Sequence, residues 1–316
     1  MNEIARQLGI RYPIIQGGMG NASNAILAAA VSNAGGLGMI GAGTMSPEEV
    51  ERIIVDTKQR TSCPFGVNIA INVSPYVNEI IQLIIKHGVK AVSLSAGNPA
   101  PYIPLLKEHG ITILSVAASV LHARKAESAG ADMIVGEGYE AAGINSHLET
   151  TTFALIPQLA DAVRIPIIAA GGIGDGRGLA AALALGASGV QMGTRLIATK
   201  ESMMHEHYIA SIIESHDFST KIIGKSVNQV RRVLPTPYVE HILQLEKEGL
   251  TAEQYRKLTA EKYHVKAAVE GKLGEGFINS GQISGLIQDV PSVEALIQTM
   301  AADAIKKINE VQSLLK

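Results

Sequence analysis

The stretch 165-IPIIAAGGIGDGRGLAAALALGASGVQMGTR-195 decides the fold. It reads as a buried strand, a Gly-Gly turn, an Ala-rich helix, a second buried strand and then Gly193-Thr194. Strands that end in glycine let backbone N–H groups approach a phosphate that a side chain would hold off. In a barrel of alternating strands and helices, the last two strand ends are the usual phosphate cradle. Tight turns without a ligand would need the same glycines, so the pattern gains weight only from the rest of the chain.

Working outward, apolar or β-branched runs recur at 13–17, 38–43, 65–72, 91–97, 112–117, 132–138, 165–171 and 189–193, and each run ends at or just before Gly, Asn or Ser. Continuous apolar runs of this length predict strands covered on both faces. Their spacing leaves room for one crossover helix each. Ser46-Pro47-Glu48-Glu49 predicts a capping box with proline in the first turn. Segments 102–110 and 119–130 read as helices closed by glycine. The prediction is a (β/α)8 TIM barrel with a helical insertion after the last strand; an open doubly wound sheet accommodates the same units. The barrel takes residues 1–199 and 277–316, with an amphipathic helix from 290 on, and the more charged segment 200–276 forms a helical lid.

The 316 residues, 47% hydrophobic and 18% charged with a formal charge of −2, fit one large core and no basic stripe for nucleic acid. Small-molecule chemistry is expected. The single cysteine, Cys63, permits no intrachain disulfide and suits a reducing compartment. The opening MNEIARQLGIRYP lacks the apolar core of a secretory signal, and the apolar stretches are interrupted by Ser32, Asn33 and glycines, so no membrane span and a cytoplasmic location are expected.

The predicted strand ends collect Gln16-Gly17-Gly18-Met19, Asn68, Ser95 to Asn98, Glu137 to Gly143, Gly171-Gly172 and Gln191 to Thr194. They are rich in amides and glycines and contain no lysine. Such a set suits a neutral ring with polar edges and a phosphate held by backbone donors and the helix start after Gly172. Glu137 and Glu140 are candidates for an acid-base pair, although one of them is better used to cap backbone N–H groups. His205 and His207 lack the further ligands of a zinc site, so no metal is expected and a solvated helix start is the simpler reading.

The ordered motifs YPIIQGGM, AGGLGMIG, KQRTSCPFGVNI, SAGNP, GADMIVGEGYEAAG, IPIIAAGGIGDGRG, VQMGTR and SGQISGL resemble, over essentially the whole chain, the FMN-dependent nitronate monooxygenase family, formerly 2-nitropropane dioxygenases. That group includes the enoyl-acyl carrier protein reductase II enzymes. The resemblance implies FMN across the barrel mouth, with its phosphate at Gly171, Gly172, Gly193 and Thr194. Its ring would lie near Gly18, Met19, Asn68, Glu137, Ala142, Gly143, Gln191 and Met192. The absence of a dinucleotide fingerprint after the first strand favours FMN over FAD.

One position departs from the family. The resemblance implies a histidine that serves as acid or base where this chain has Ile144, and His147, three residues on, is the candidate replacement. Nitronate oxidation with dioxygen is the leading expectation, because a nitronate is already an anion. Alternatives are an enoyl-acyl carrier protein reductase using NADH or NADPH on an acyl carrier protein thioester, and a flavin-binding protein without turnover. A small-molecule substrate and a homodimer are the family-level expectations for partners. A rival, the inosine-monophosphate-dehydrogenase-like barrels, needs a nucleophilic cysteine in a mouth loop, whereas Cys63 precedes a strand.

Overall fold

The computed structural model describes residues 2–315. The barrel strands are β1 (Ile14–Gln16), β2 (Gly38–Gly41), β3 (Phe65–Ala70), β4 (Ala91–Ser95), β5 (Thr112–Ala117) and β6 (Met133–Glu137). After a two-residue strand β7 (Gly143–Ile144), the barrel continues with β8 (Ile167–Ala170) and β9 (Gly189–Met192). The eight barrel strands pair in parallel in the order β1-β9-β8-β6-β5-β4-β3-β2. The ring closes where Leu37 N donates to Ile14 O at 3.0 Å and Gln16 N to Leu37 O at 2.9 Å. It is therefore a closed barrel, and the open-sheet alternative falls.

Helices α1 (Glu3–Leu8), α2 (Ala25–Asn33), α3 (Pro47–Arg60), α4 (Val77–Lys86), α5 (Ile103–Glu108), α6 (Val120–Ala129), α7 (Thr152–Ala162) and α8 (Gly176–Ala184) come before or between these strands. Ser46 and Glu49 form the reciprocal capping box at the start of α3. Two apolar layers follow from the period-two alternation of the strands. Ile14, Ile40, Val67, Val92, Ile134, Ala169 and Val190 face outward into the helix layer. Ile15, Met39, Leu114, Met133, Val135 and Ile168 fill the barrel interior, where Ile4 and Leu8 of α1 plug the N-terminal end. At the opposite end the inward positions turn polar: Asn68, Ser93, Ser95, Glu137 and Gln191. That change of chemistry marks the mouth.

Beyond β9 come α9 (Thr194–Ile197), α10 (Glu206–Ile213), β10 (Lys221–Ile223), β11 (Arg231–Leu234), α11 (Pro237–Lys247), α12 (Ala252–Leu258), α13 (Glu261–Ala268), β12 (Ile278–Asn279) and α14 (Val293–Leu314). The insertion is not helical throughout. β11 pairs antiparallel with β10, β12 and β7, so a small sheet draws on 143–144 and 278–279 as well as on the insertion. These strands are only two to four residues long, too short for their sequences to carry a clear strand period. Because β7 lies in the loop after β6, the insertion sits at the C-terminal mouth of the barrel. α14 returns to pack on α8 and α2. No helix among the described residues is long and apolar enough to cross a membrane.

Candidate active site

The mouth is built by loops that follow β1, β3, β6, β8 and β9. After β1, Gly17 N donates to Met192 O at 2.8 Å, and Ser23 Oγ accepts from Met19 N at 2.9 Å while donating to Gly17 O at 3.0 Å. The turn is thereby fixed with Gly18 against Asn68. A Cβ on Gly18 would overlap the Asn68 side chain, which explains glycine there. Asn68 is buried and its Nδ2 donates to Ser93 O, Ser93 Oγ and Ser95 Oγ at 3.2–3.3 Å. Gln191 is also buried, and its Oε1 has no hydrogen-bond partner. A buried carbonyl oxygen without a donor carries a desolvation cost that a ligand N–H would relieve.

Glu137 and Glu140 divide their roles. Glu140 accepts from Thr152 N at 2.9 Å and from Thr152 Oγ1 at 3.0 Å, so it caps the start of α7. Thr152 Oγ1 also approaches Gly171 O at 2.9 Å, tying that loop to the turn after β8. Glu137, at the inward end of β6, has no such tie, and burial pushes its carboxyl up to about 7. The sequence could not assign these roles because the partner, Thr152, lies on another element.

In the turn after β8, Gly171 and Gly172 have φ of +99° and +73°, which only glycine adopts at low cost. The expected helix start after Gly172 is not free for an anion. Asp175 caps α8, its Oδ1 accepting from Gly178 N at 3.1 Å, and Gly176 packs against Asp303. By contrast α9 begins directly after Gly193 with no side-chain cap. Gly193 has φ of −118°, so its glycine answers to space and not to backbone conformation. Thr194 Oγ1 accepts from Gly281 N at 2.9 Å, bringing the SGQ segment onto the same turn. Met192 departs from expectation: its side chain is buried in the outward layer, and only its backbone reaches the mouth.

The loop carrying Ala142 and Gly143 leaves β6 and enters the small sheet through β7. Gly143 (φ +70°) pairs with Arg232, and Ile144 pairs with Arg231. Arg232 is committed: it donates to Tyr139 O through Nε and Nη2 and to Thr220 Oγ1 through Nη1. Asn145 then hooks back to Tyr139 O and Ala141 O, and residues 146–149 turn outward before Thr150 O receives Tyr139 N. His147 lies on that exposed turn. Ile144 stands 50% exposed on the sheet.

Four residues missed by sequence reasoning join this rim. Arg231 Nη1 donates to Asn279 Oδ1 at 3.2 Å, and Tyr208 hydroxyl donates to Asn279 O. Glu261 of α13 accepts from Asn21 Nδ2 at 2.8 Å, spanning from the insertion to the loop after β1. Burial alone would raise the Glu261 carboxyl, but His264 and Arg231 hold it below the ordinary carboxylate range. The β-branched run VRRVL, stopped by proline, was the available signal for β11. His205 and His207 serve structure, since His205 Nδ1 caps α10 by accepting from His207 N at 3.1 Å. Among the described residues, no group of three or more His, Cys, Asp or Glu is placed to hold a metal ion.

This barrel with its glycine turns, amide-lined mouth and strand-bearing insertion has matches among known proteins. The nitronate monooxygenase family model covers residues 2–76 and 70–303. The chain belongs to the nitronate monooxygenase family. FabK from Thermotoga maritima, a solved structure, is similar with a TM-score of 0.95 and 39% identity over 99% of each chain. A "(3aS,4S,5R,7aS)-5-hydroxy-7a-methyl-1-oxo-octahydro-1H-indene-4-carboxyl-CoA dehydrogenase" of Rhodococcus jostii (strain RHA1) is 35% identical over 97% of this chain and 96% of that relative. A probable nitronate monooxygenase of Staphylococcus saprophyticus is 33% identical over 97% of each. The chain is an oxidoreductase, and its fold is the one seen in FabK.

Proposed function

We propose that the protein is an FMN-dependent oxidoreductase that oxidises small nitronate anions, with dioxygen as the final electron acceptor. The mouth fits the flavin on three observations. Gln191 Oε1 is a buried acceptor awaiting a donor. Gly171 and Gly172 form a left-handed turn that opens backbone N–H groups. Gly193 precedes a helix start that no side chain caps. In this reading Gly171, Gly172, Gly193 and Thr194 hold the phosphate through backbone N–H groups, while Gln191, Asn68, Gly18 and Met19 border the ring. When bound, FMN supplies a two-electron acceptor that dioxygen reoxidises.

The observation that carries the substrate reading is Ile144. An aliphatic side chain stands where the family resemblance implies an acid or base, and His147 lies three residues on, in an exposed turn. A neutral carbon acid needs that base; a nitronate has already lost its proton. Glu137 holds its own proton up to about pH 7.

A second reading, reduction of an enoyl thioester with NADH or NADPH, draws on the exposed apolar side chains of Ile144 (50%) and Leu148 (46%) in the loop after β6 and Phe153 (73%) in the first turn of α7. Such a rim suits an acyl chain, including one carried on an acyl carrier protein. Anaerobic mixing of the flavin-loaded protein separates the readings. Bleaching of the flavin by ethyl nitronate alone supports the first; bleaching by NADH or NADPH and not by the nitronate supports the second and overturns the first. Bleaching by neither overturns both.

A further inference from the structure

Three arginines are deeply placed near the mouth, and two of them are spoken for. Arg195 donates to Ala198 O, Asp289 O and Asp289 Oδ1 at 2.8–2.9 Å. Arg232 donates three bonds to Tyr139 and Thr220 and lies over the Tyr139 ring at 4.9 Å. Arg231 is different. Of its five N–H donors, only Nη1 makes a directional bond, to Asn279 Oδ1. Its guanidinium rests over the Phe277 ring at 4.9 Å, which aims the plane without satisfying the donors.

The groups around it do not supply the missing acceptor. Glu261 is near enough to feel its charge, yet that carboxylate is engaged by Asn21 and His264, and no salt bridge joins it to Arg231. The buried Tyr255 hydroxyl lies beside it within reach of one N–H, which leaves the other donors of the guanidinium free. A cation held this way, with spare donors and a desolvated flank, is poised for an external anion.

Its location is set by strand register. Arg231 is paired with Ile144, and Asn279 with Val233 two residues along, so antiparallel alternation puts Ile144, Arg231 and Asn279 on one face of the small sheet. Asn279 is fixed on both sides, by Tyr208 through its carbonyl and by the β11 ladder, and its side chain stands 3.5 Å from where a Cβ on Gly143 would lie. The aliphatic position of the loop after β6 is thus the cross-strand neighbour of that cation on the same face.

We propose that Arg231, oriented by Asn279 and Phe277, is the specificity-determining residue that receives the anionic oxygens of the substrate, so that the enzyme selects carbon acids that arrive already ionised. This deepens the nitronate reading and rests on it. A planar two-oxygen anion matches the guanidinium fork whether it is a nitronate or a carboxylate of the same shape.

The test uses the flavin-loaded protein and propionate, a non-reacting carboxylate with the outline of ethyl nitronate, titrated while the flavin absorbance is followed. Propionamide is the neutral control. Propionate is expected to bind well ahead of propionamide. Arg231→Met should weaken propionate about tenfold or more and raise KM for ethyl nitronate by a similar factor, with less change in kcat, while flavin content and propionamide binding stay as they were. Arg231→Lys should restore part of the loss. Unchanged propionate affinity in a folded, flavin-loaded Arg231→Met protein would overturn the proposal. If Arg231→Met does not hold flavin, Asn279→Leu, which frees the guanidinium from its tether, decides: propionate affinity must fall, and an unchanged value overturns it. Should the parent protein bind propionate through Arg231 yet leave ethyl nitronate unoxidised, the anion site stands and the nitronate reading fails.

Discussion

Gly18 and Asn68 meet so closely across the mouth that a single methyl group on Gly18 would occupy the space of the Asn68 side chain. Asn68 cannot yield freely, because Nδ2 is shared among Ser93 and Ser95. Gly18→Ala is therefore expected to displace Asn68 and weaken FMN binding about tenfold or more. Overpacking of this kind costs about 1–3 kcal/mol of stability, so the fold should survive. Flavin fluorescence on dilution of the purified variant measures the affinity, and a circular dichroism melt measures the fold.

The proposed phosphate cradle has two glycine turns that should respond differently. Gly193→Val places its Cβ 3.2 Å from Met19 Sδ, a flexible neighbour, at an ordinary backbone angle. It should abolish flavin retention and lower the melting temperature little. Gly171→Ala instead meets Thr152 Oγ1 at 2.9 Å with φ at +99°. It should cost about 1–3 kcal/mol as well as the flavin. Equal stability of the two variants would contradict this division.

Glu137 makes a pH prediction with a definite sign. Its folded pKa of about 7 lies above the ordinary 4.5, so the folded state binds the extra proton between those values. Its contribution is fully present below about pH 4.5 and is lost as the pH rises through about 7. The loss is about 3 kcal/mol at most. Glu137→Gln, which cannot ionise, should be more stable than the parent protein at pH 8 and equal to it near pH 4.5. Urea unfolding at the two pH values checks this.

Ile144→His restores an imidazole to the loop after β6. It should raise turnover of a neutral nitroalkane about 10²- to 10⁴-fold while changing nitronate turnover far less. His147→Ala should leave both rates unchanged, because that side chain lies on an exposed turn. Steady-state oxygen consumption with each substrate form is the measurement, and an equal response of the two substrates to Ile144→His would count against the placement of Ile144 at the reacting carbon.

The barrel was legible because each of its strands is covered on both faces and so must be a continuous apolar run, 165–171 and 189–193 among them. The glycine turns were legible for a similar reason: φ above zero or close approach leaves glycine as the economical residue. The small sheet was not. β7 has two residues, and its partner β11 lies beyond β8 and β9, so nothing local specifies the pairing. Which of Glu137 and Glu140 is the cap, and the role of Asp175, escaped for the same cause, since each is defined by the helix end it caps. Arg231 hid in a segment read as helical, and only the register that sets it against Ile144 reveals it.

The small sheet also has a consequence for how the molecule comes into being. β7 belongs to the barrel half of the chain, but its partner β11 is made only after the last barrel strand. On a ribosome, the loop that carries Gly143 must stay without its ladder while the barrel assembles, and it gains its final shape when the insertion folds back. Competence to hold flavin should therefore appear late in synthesis. A chain arrested after β9 is expected to gain barrel structure without the yellow colour of the finished protein.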